Sequence, residues 1–96
     1  SLSELAEIMG YDVYWLSREI KKRTGKTYKE LLQSRRMRQA AYLLKNSRLS
    51  VADIIESVGY DNTNYFCTLF AKVVGMTPIR YRGLYLEELK GVRNQS

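Results

Sequence analysis

The chain contains no histidine, one cysteine and one proline, and its longest unbroken apolar run, at 40–44, is five residues long. The commonest general base and the commonest metal ligand are therefore missing. A single cysteine, Cys67, cannot form an internal disulfide or a cysteine-based zinc site, and it suits a reducing cytosol. Apolar runs this short exclude a membrane-spanning helix and a signal peptide. We expect a cytoplasmic protein without metal or cofactor.

The composition is typical of a small folded domain. Its 96 residues are 45% hydrophobic and 27% charged, unlike a disordered tail. A chain of this size buries about 60–70% of its unfolded surface, which leaves little core for a catalytic cavity. The chain begins without methionine, so we expect a fragment or a disordered start, and one domain over 1–96.

Positive charge is concentrated in the middle of the chain. Residues 1–17 carry three acidic side chains and no basic one, whereas 18–48 carry eleven basic side chains against Glu19 and Glu30. Residues 49–96 carry five of each sign. A solvated helix surface would also be basic, but a cluster this concentrated favours a polyanionic partner.

An internal repeat indicates the architecture. Residues 1–12 align with 50–61 at an offset of 49, and one extra residue then makes the offset 50. At that offset four further positions match: Leu16 with Phe66, Ile20 with Phe70, Gly25 with Gly75 and Thr27 with Thr77. Such self-similarity predicts two copies of one supersecondary unit.

Each copy predicts two helices around a tight turn. Ser1 and Ser50 precede an acidic residue by three positions, which is the spacing of a capping box. Gly10 and Gly59 follow the last residue of a helical apolar period, where a left-handed C-cap favours glycine. The second helices are predicted over 13–24 and 62–74, with inward-facing Leu16, Ile20, Phe66 and Phe70 and with caps at Asp12 and at Asp61 or Asn62.

A long linker helix is predicted from Thr27 to about Asn46, because no proline or glycine interrupts this stretch. About 20 residues at 1.5 Å each span ~30 Å, close to the ~34 Å of one DNA turn. Pro78 then begins a closing helix to about residue 89, followed by a tail over 90–96. The predicted fold is all-α and homeodomain-like: two helix-turn-helix units, 1–25 and 50–75, joined by the linker helix 27–46.

Motifs spread over residues 1–85 carry a family resemblance. They are Leu5-Ala6 with Gly10-Tyr11, Leu16-Ser17-Arg18, Arg36-Met37-Arg38-Gln39-Ala40, Val58-Gly59-Tyr60, Asn64-Tyr65-Phe66 and Gly75-Met76-Thr77-Pro78 with Tyr81-Arg82. They resemble the DNA-binding domain of AraC/XylS-type bacterial transcription regulators. The resemblance implies sequence-specific binding of double-stranded DNA, with two recognition helices in successive major-groove segments of an asymmetric site.

The chain departs from the family pattern in two respects. Family domains normally have one more helix before the first helix-turn-helix, where it would cover the apolar side of that unit. Many members also carry an effector-sensing or dimerising domain. Without such a domain, we expect this chain to be monomeric and the full-length protein to dimerise through the missing part. Because family members contact RNA polymerase, the resemblance also implies that enzyme as a further partner, with a location at the nucleoid and no membrane contact.

Base-reading residues are expected on the exposed face of each recognition helix. In the first helix Arg18 can give two hydrogen bonds to guanine, although a phosphate contact or an ion pair with Glu19 or Asp12 is the alternative. Tyr14 can touch sugar or a thymine methyl group, or only pack locally, and Ser17 reads bases weakly. The corresponding residues of the second helix are Thr63, Asn64, Cys67 and Thr68.

Two of these second-helix residues have other interpretations. Asn64 can pair with adenine, but an asparagine near a helix start is equally typical of a cap. Cys67 could be a redox sensor, but without a second cysteine it is better explained as a small contact or filler residue.

Phosphate contacts position a protein on DNA without reading its sequence. We expect them from the basic residues that flank the recognition helices and from some arginines of the linker helix. Arg36 has an alternative, since on the packed side of that helix it would form an ion pair with Asp53 or Glu56. The expected phosphate-binding residues are Lys21, Lys22, Arg23, Lys72, Arg80 and Arg82.

Three other functions can be compared with DNA binding. A basic helical RNA-binding protein would use the same charged middle, but would not need two recognition helices. A protein-interaction module docking on RNA polymerase is the second alternative. An enzyme is not expected, because the sequence has no histidine, no glycine-rich phosphate loop and no metal-ligand constellation.

Overall fold

The computed structural model describes the backbone of residues 1–94 and the side chains of residues 1–86. Over this part of the chain the structure is helical and contains no strand, which confirms the all-α prediction. The six helices are α1 (Leu2–Met9), α2 (Val13–Thr24), α3 (Tyr28–Asn46), α4 (Val51–Ser57), α5 (Thr63–Val74) and α6 (Pro78–Asn94). None of the described helices is long and apolar enough to cross a bilayer.

Most helix boundaries lie where local sequence signals predict them. The backbone amide of Glu30 donates to the Thr27 hydroxyl over 3.1 Å, so Thr27 is the N-cap of α3. The closing helix is longer than predicted, since α6 continues to Asn94 instead of ending near residue 89. Gly91 does not stop it, because one glycine costs a helix only about 1 kcal/mol relative to alanine. Residues 95 and 96 of the predicted tail lie outside the described residues.

The chain forms two compact units, residues 1–34 and 35–96, with the boundary inside α3. In the first unit α1 packs on α2, and the chain reverses at Gly10, whose φ of 74° favours glycine. Ala6 and Leu16 are its buried hydrophobic residues. Ile8 is 83% exposed, so much of the apolar surface of α1 is uncovered.

The second unit has a larger core. Its fully buried side chains include Met37, Leu44, Ile54, Phe66 and Phe70, which come from three helices and form one cluster. The rings of Phe66 and Phe70 stack at 5.8 Å, and the edge of Tyr81 meets Phe70 at 5.7 Å. Burying a Phe or Leu side chain stabilises a fold by about 1.5–3 kcal/mol, so this unit is strongly held.

The expected ion pair of Arg36 with Asp53 or Glu56 is not formed among the described residues. The Arg36 guanidinium lies 5.5 Å from the ring centre of Tyr60 instead. It also packs against Gly59, where an added Cβ would be 3.3 Å from its Cζ. Because Gly59 has a φ of 95° and no side chain, the turn between α4 and α5 leaves room for the guanidinium.

Candidate nucleic-acid interface

The start of α2 is held by Asp12, whose carboxylate accepts hydrogen bonds from the amides of Tyr14 and Trp15 at 2.9 and 3.0 Å. An N-cap of this kind satisfies amides that have no partner within the helix. The turn is further held by the rings of Tyr11 and Trp15, whose centroids are 4.9 Å apart. The cap and the ring contact together fix the first turn of α2, and so the position of the exposed residues that follow along the helix.

One face of α2 is polar and exposed. Tyr14, Ser17, Arg18 and Lys21 are all exposed, and their spacing of three, four and seven residues places them on the same side of the helix. Leu16, outside this exposed set, is buried. Tyr14 is 72% exposed and makes no ring contact with a described residue, so its side chain is available for a ligand.

Arg18 has no intramolecular ion pair with any described residue. Glu19, the expected alternative partner, pairs with Arg23 at 3.2 Å. Asp12 is engaged by the two amides of the helix start. The Arg18 guanidinium is therefore an exposed, uncompensated donor on the polar face of α2.

The start of α5 repeats this design with different residues. The Asn62 side chain accepts from the amide of Tyr65 at 2.9 Å, so Asn62 is the cap and the cap interpretation of Asn64 is wrong. Tyr65 lies near Tyr60, with ring centroids 6.1 Å apart. Thr63, Asn64 and Thr68 are exposed beside the capped turn.

Cys67 is less available than the matching Ser17. It is partly buried and packs against the core of the second unit, whereas Ser17 is exposed. The larger core of the second unit reaches this flank of α5, beside Phe66 and Phe70. The structure thus places Cys67 at the edge of the core, in agreement with its interpretation as a filler residue.

The expected phosphate-binding residues fall into two groups. Lys21, Lys22, Arg23, Lys72 and Arg80 are exposed, although Arg23 is shared with Glu19. Arg82 is half-buried, and its Nε donates to the carbonyl oxygen of Leu44 over 3.2 Å. Its Nη2 lies 3.5 Å from the carbonyl oxygen of Ser47. Arg82 thus serves the C-terminal end of α3, where carbonyl groups lack partners within the helix.

Sequence reasoning missed this role of Arg82 and the contact of Arg36 with Tyr60. Both involve residues far apart in the chain, so no local spacing signals them. The aromatic pairs that hold the two turns were also not predicted as pairs. Their signal was present, because each copy has a turn tyrosine followed four or five residues later by Trp15 or Tyr65.

Comparison with known proteins identifies the family of this chain. A family model described as a helix-turn-helix domain matches residues 5–83. The HTH-type transcriptional activator RhaR of Escherichia coli is 38% identical over 69 residues, which make up 72% of this chain and 24% of that protein. The chain therefore spans about a quarter of the length of the curated relatives it matches.

Solved structures show the same fold. The C-terminal domain of AraT, a response regulator from Geobacillus stearothermophilus, is 39% identical with a TM-score of 0.81, covering 88% of this chain and 69% of that one. A Chromobacterium violaceum regulator described as an AraC-type DNA-binding protein has a TM-score of 0.84, covering 90% of this chain and 77% of that one. At 21% identity, that second likeness shows the fold alone.

The capped turns, the exposed polar faces of α2 and α5 and the matched family lead to one assignment. This chain belongs to the AraC/XylS-type family of helix-turn-helix domains, and it is a DNA-binding domain of a transcription regulator.

Proposed function

We propose that this domain reads an asymmetric site on double-stranded DNA, with α2 and α5 in successive major-groove segments. The observation that carries the proposal is the uncompensated Arg18 guanidinium on the exposed face of α2, whose neighbouring carboxylates are both occupied. Two unlike recognition helices in one chain imply two unlike half-sites, in contrast to the palindrome read by a symmetric dimer.

The two helices are proposed to contribute differently to specificity. Arg18 offers a planar pair of donors for guanine O6 and N7, a contact worth about 1–3 kcal/mol of discrimination. Tyr14 and Ser17 flank it on α2. On α5, Asn64 has its amide free of the capping role and can pair with adenine, while Thr63 and Thr68 add weaker contacts.

Phosphate binding is proposed for exposed basic residues beside each recognition helix. Lys21 and Lys22 extend the polar side of α2, and Lys72 and Arg80 are exposed in the second unit. Arg23 can also bind phosphate if its ion pair with Glu19 breaks, because a surface pair of this kind contributes at most about 1 kcal/mol. Arg82 is left out because its guanidinium is engaged by backbone carbonyl groups.

We also propose that the domain is monomeric, that it acts on the chromosome in the cytoplasm, and that the full-length regulator contacts RNA polymerase. The relative RhaR is described as a transcriptional activator, which supports a polymerase contact. The alternative, a basic RNA-binding module, would prefer unstacked RNA and is separated by competition: single-stranded RNA at equal concentration should not displace the selected duplex DNA.

The experiment that tests the proposal is selection of sites from a random duplex library at about 150 mM salt. Two unlike blocks of preferred bases, about one helical turn apart, are expected. A single block would mean that α5 holds only the backbone. No enrichment by a folded domain would refute sequence-specific DNA reading.

The variants Arg18→Ala and Lys72→Ala separate base reading from phosphate binding. Arg18→Ala should relax preference at one or two positions of one half-site, at a cost of about 1–3 kcal/mol on the preferred sequence. Lys72→Ala should weaken binding to all sequences alike and reduce the salt slope by about one. If Arg18→Ala weakened all sequences equally, its base-reading role would be wrong.

A further inference from the structure

A groove of about 560 Å³ lies within the second unit, between α3 and the end of α4. Its lining consists of Ser57 and Val58 at the end of α4 and of five residues from α3, which are Arg35, Arg38, Gln39, Tyr42 and Leu43. Its volume falls within the range of about 300–1,000 Å³ that is typical of ligand sites. The DNA-binding function assigned above does not use it.

The groove combines two positive charges with an apolar floor. Arg35 and Arg38 are exposed, and neither forms an ion pair with a side chain of residues 1–86. Leu43 is half-buried and Val58 is 6% exposed, so both turn apolar surface toward the groove. Tyr42 adds a ring that is 67% exposed.

The groove faces away from the recognition helix of its own unit. Met37, Ala40 and Leu44 of α3 share the core cluster with Phe66 and Phe70 of α5. At 100° per residue, Arg35, Arg38 and Tyr42 lie on the opposite side of α3 from those core residues. DNA held against the exposed face of α5 therefore does not account for the unpaired arginines.

We propose that this groove binds an acidic segment of a partner protein. An aliphatic side chain of the segment would rest on Leu43 and Val58, and carboxylates on either side of it would meet Arg35 and Arg38. Arginine binds carboxylates through two parallel hydrogen bonds, which gives orientation as well as affinity. The positive groove is thus complementary in charge to an acidic peptide, and its apolar floor distinguishes the site from a simple phosphate contact.

A phage-displayed library of random peptides tests this on the whole domain at about 150 mM salt. The selection is run with excess duplex DNA, which occupies the recognition helices. Peptides that also bind the Arg38→Glu variant are removed by counter-selection. We expect enriched peptides to carry at least two carboxylates around one large aliphatic residue. Enrichment of basic or neutral peptides, or no enrichment over the counter-selected variant, would overturn the proposal.

Affinities of a selected peptide are then measured by fluorescence anisotropy against matched variants. Arg38→Glu and Arg35→Glu should each weaken the peptide about tenfold or more, the scale of one charge-assisted hydrogen bond. Arg48→Glu makes the same reversal of charge at an exposed position outside the groove lining and should change affinity less than threefold. Equal losses for Arg38→Glu and Arg48→Glu would reduce the effect to net charge and refute the site.

DNA affinity of the same variants separates this site from the DNA-binding face. If the groove serves a protein partner, Arg38→Glu and Arg48→Glu should weaken binding to duplex DNA of random sequence by similar factors. If Arg38→Glu weakened binding to this DNA much more than Arg48→Glu did, the groove would be a phosphate-binding surface and the proposal would fail. Neither result depends on whether α2 and α5 read bases.

Discussion

Replacing Arg82 with alanine should destabilise the second unit without removing a phosphate contact to DNA. The Nε–H group of Arg82 donates to the Leu44 carbonyl at 3.2 Å, within the usual range for such bonds. The second approach, to Ser47 at 3.5 Å, is too long to count fully. One hydrogen bond from a charged group is worth about 1.5–3 kcal/mol, so we expect a loss near 2 kcal/mol.

The matched control is Arg80→Ala, which removes the same side chain two residues earlier, at an exposed position. Urea unfolding followed by circular dichroism should show a midpoint lowered by about 1 M for Arg82→Ala, taking m near 2 kcal/mol per molar. Arg80→Ala should change stability by no more than about 0.5 kcal/mol. In DNA titrations the order reverses, and only Arg80→Ala should reduce the salt slope, by about one.

The opposite pattern would refute this reasoning. If Arg82→Ala left the urea midpoint unchanged and lowered the salt slope by one, Arg82 would be a phosphate contact, as the sequence alone suggested. Arg82→Lys adds a further test. Because it keeps the charge but loses the fixed planar donors, it should recover stability only in part and, like Arg82→Ala, leave the salt slope unchanged.

Two other perturbations follow from the structure. Gly59→Ala and Gly75→Ala each force alanine to a φ near 95°, which should lower the free energy of unfolding by about 1–2 kcal/mol. Only at Gly59 does the new Cβ also displace Arg36 from its place on the Tyr60 ring, which adds about 0.5–1 kcal/mol to the loss. This extra cost should vanish in an Arg36→Ala background, and equal urea midpoints for the two single variants would contradict it. The pKa of Tyr81 is raised in the folded protein, first by burial and then by a hydrogen bond with Tyr85. Tyr81 therefore loses its proton at a lower pH in the unfolded chain than in the folded one, so stability should fall as the pH rises above about 10. Tyr81→Phe should flatten this alkaline decline, and an unchanged pH dependence in urea unfolding would show that another group causes it.

The sequence alone was sufficient to predict where the helices begin and to predict the repeated unit, although the end of α6 was placed too early. Capping residues such as Asp12, Thr27 and Ser50 act within a few residues of themselves, and their predicted bonds are present. Glycine at positions of positive φ is equally local, so Gly10 and Gly25 mark helix ends that a reader of the sequence can place. The exposure of Arg18 also follows from helical period alone.

Tertiary structure decided what the basic and aromatic residues do. The local sequence does not distinguish Arg36, Arg80 and Arg82 from one another. One packs on a tyrosine ring, one is exposed, and one donates to carbonyls at the end of a distant helix. The same is true of Ser17 and Cys67, which match in the repeat but differ in burial because the two cores differ in size. Local hydrogen bonds determine where helices begin and end, but the partner of a long side chain depends on which other helices pack beside it, and only the folded chain settles that.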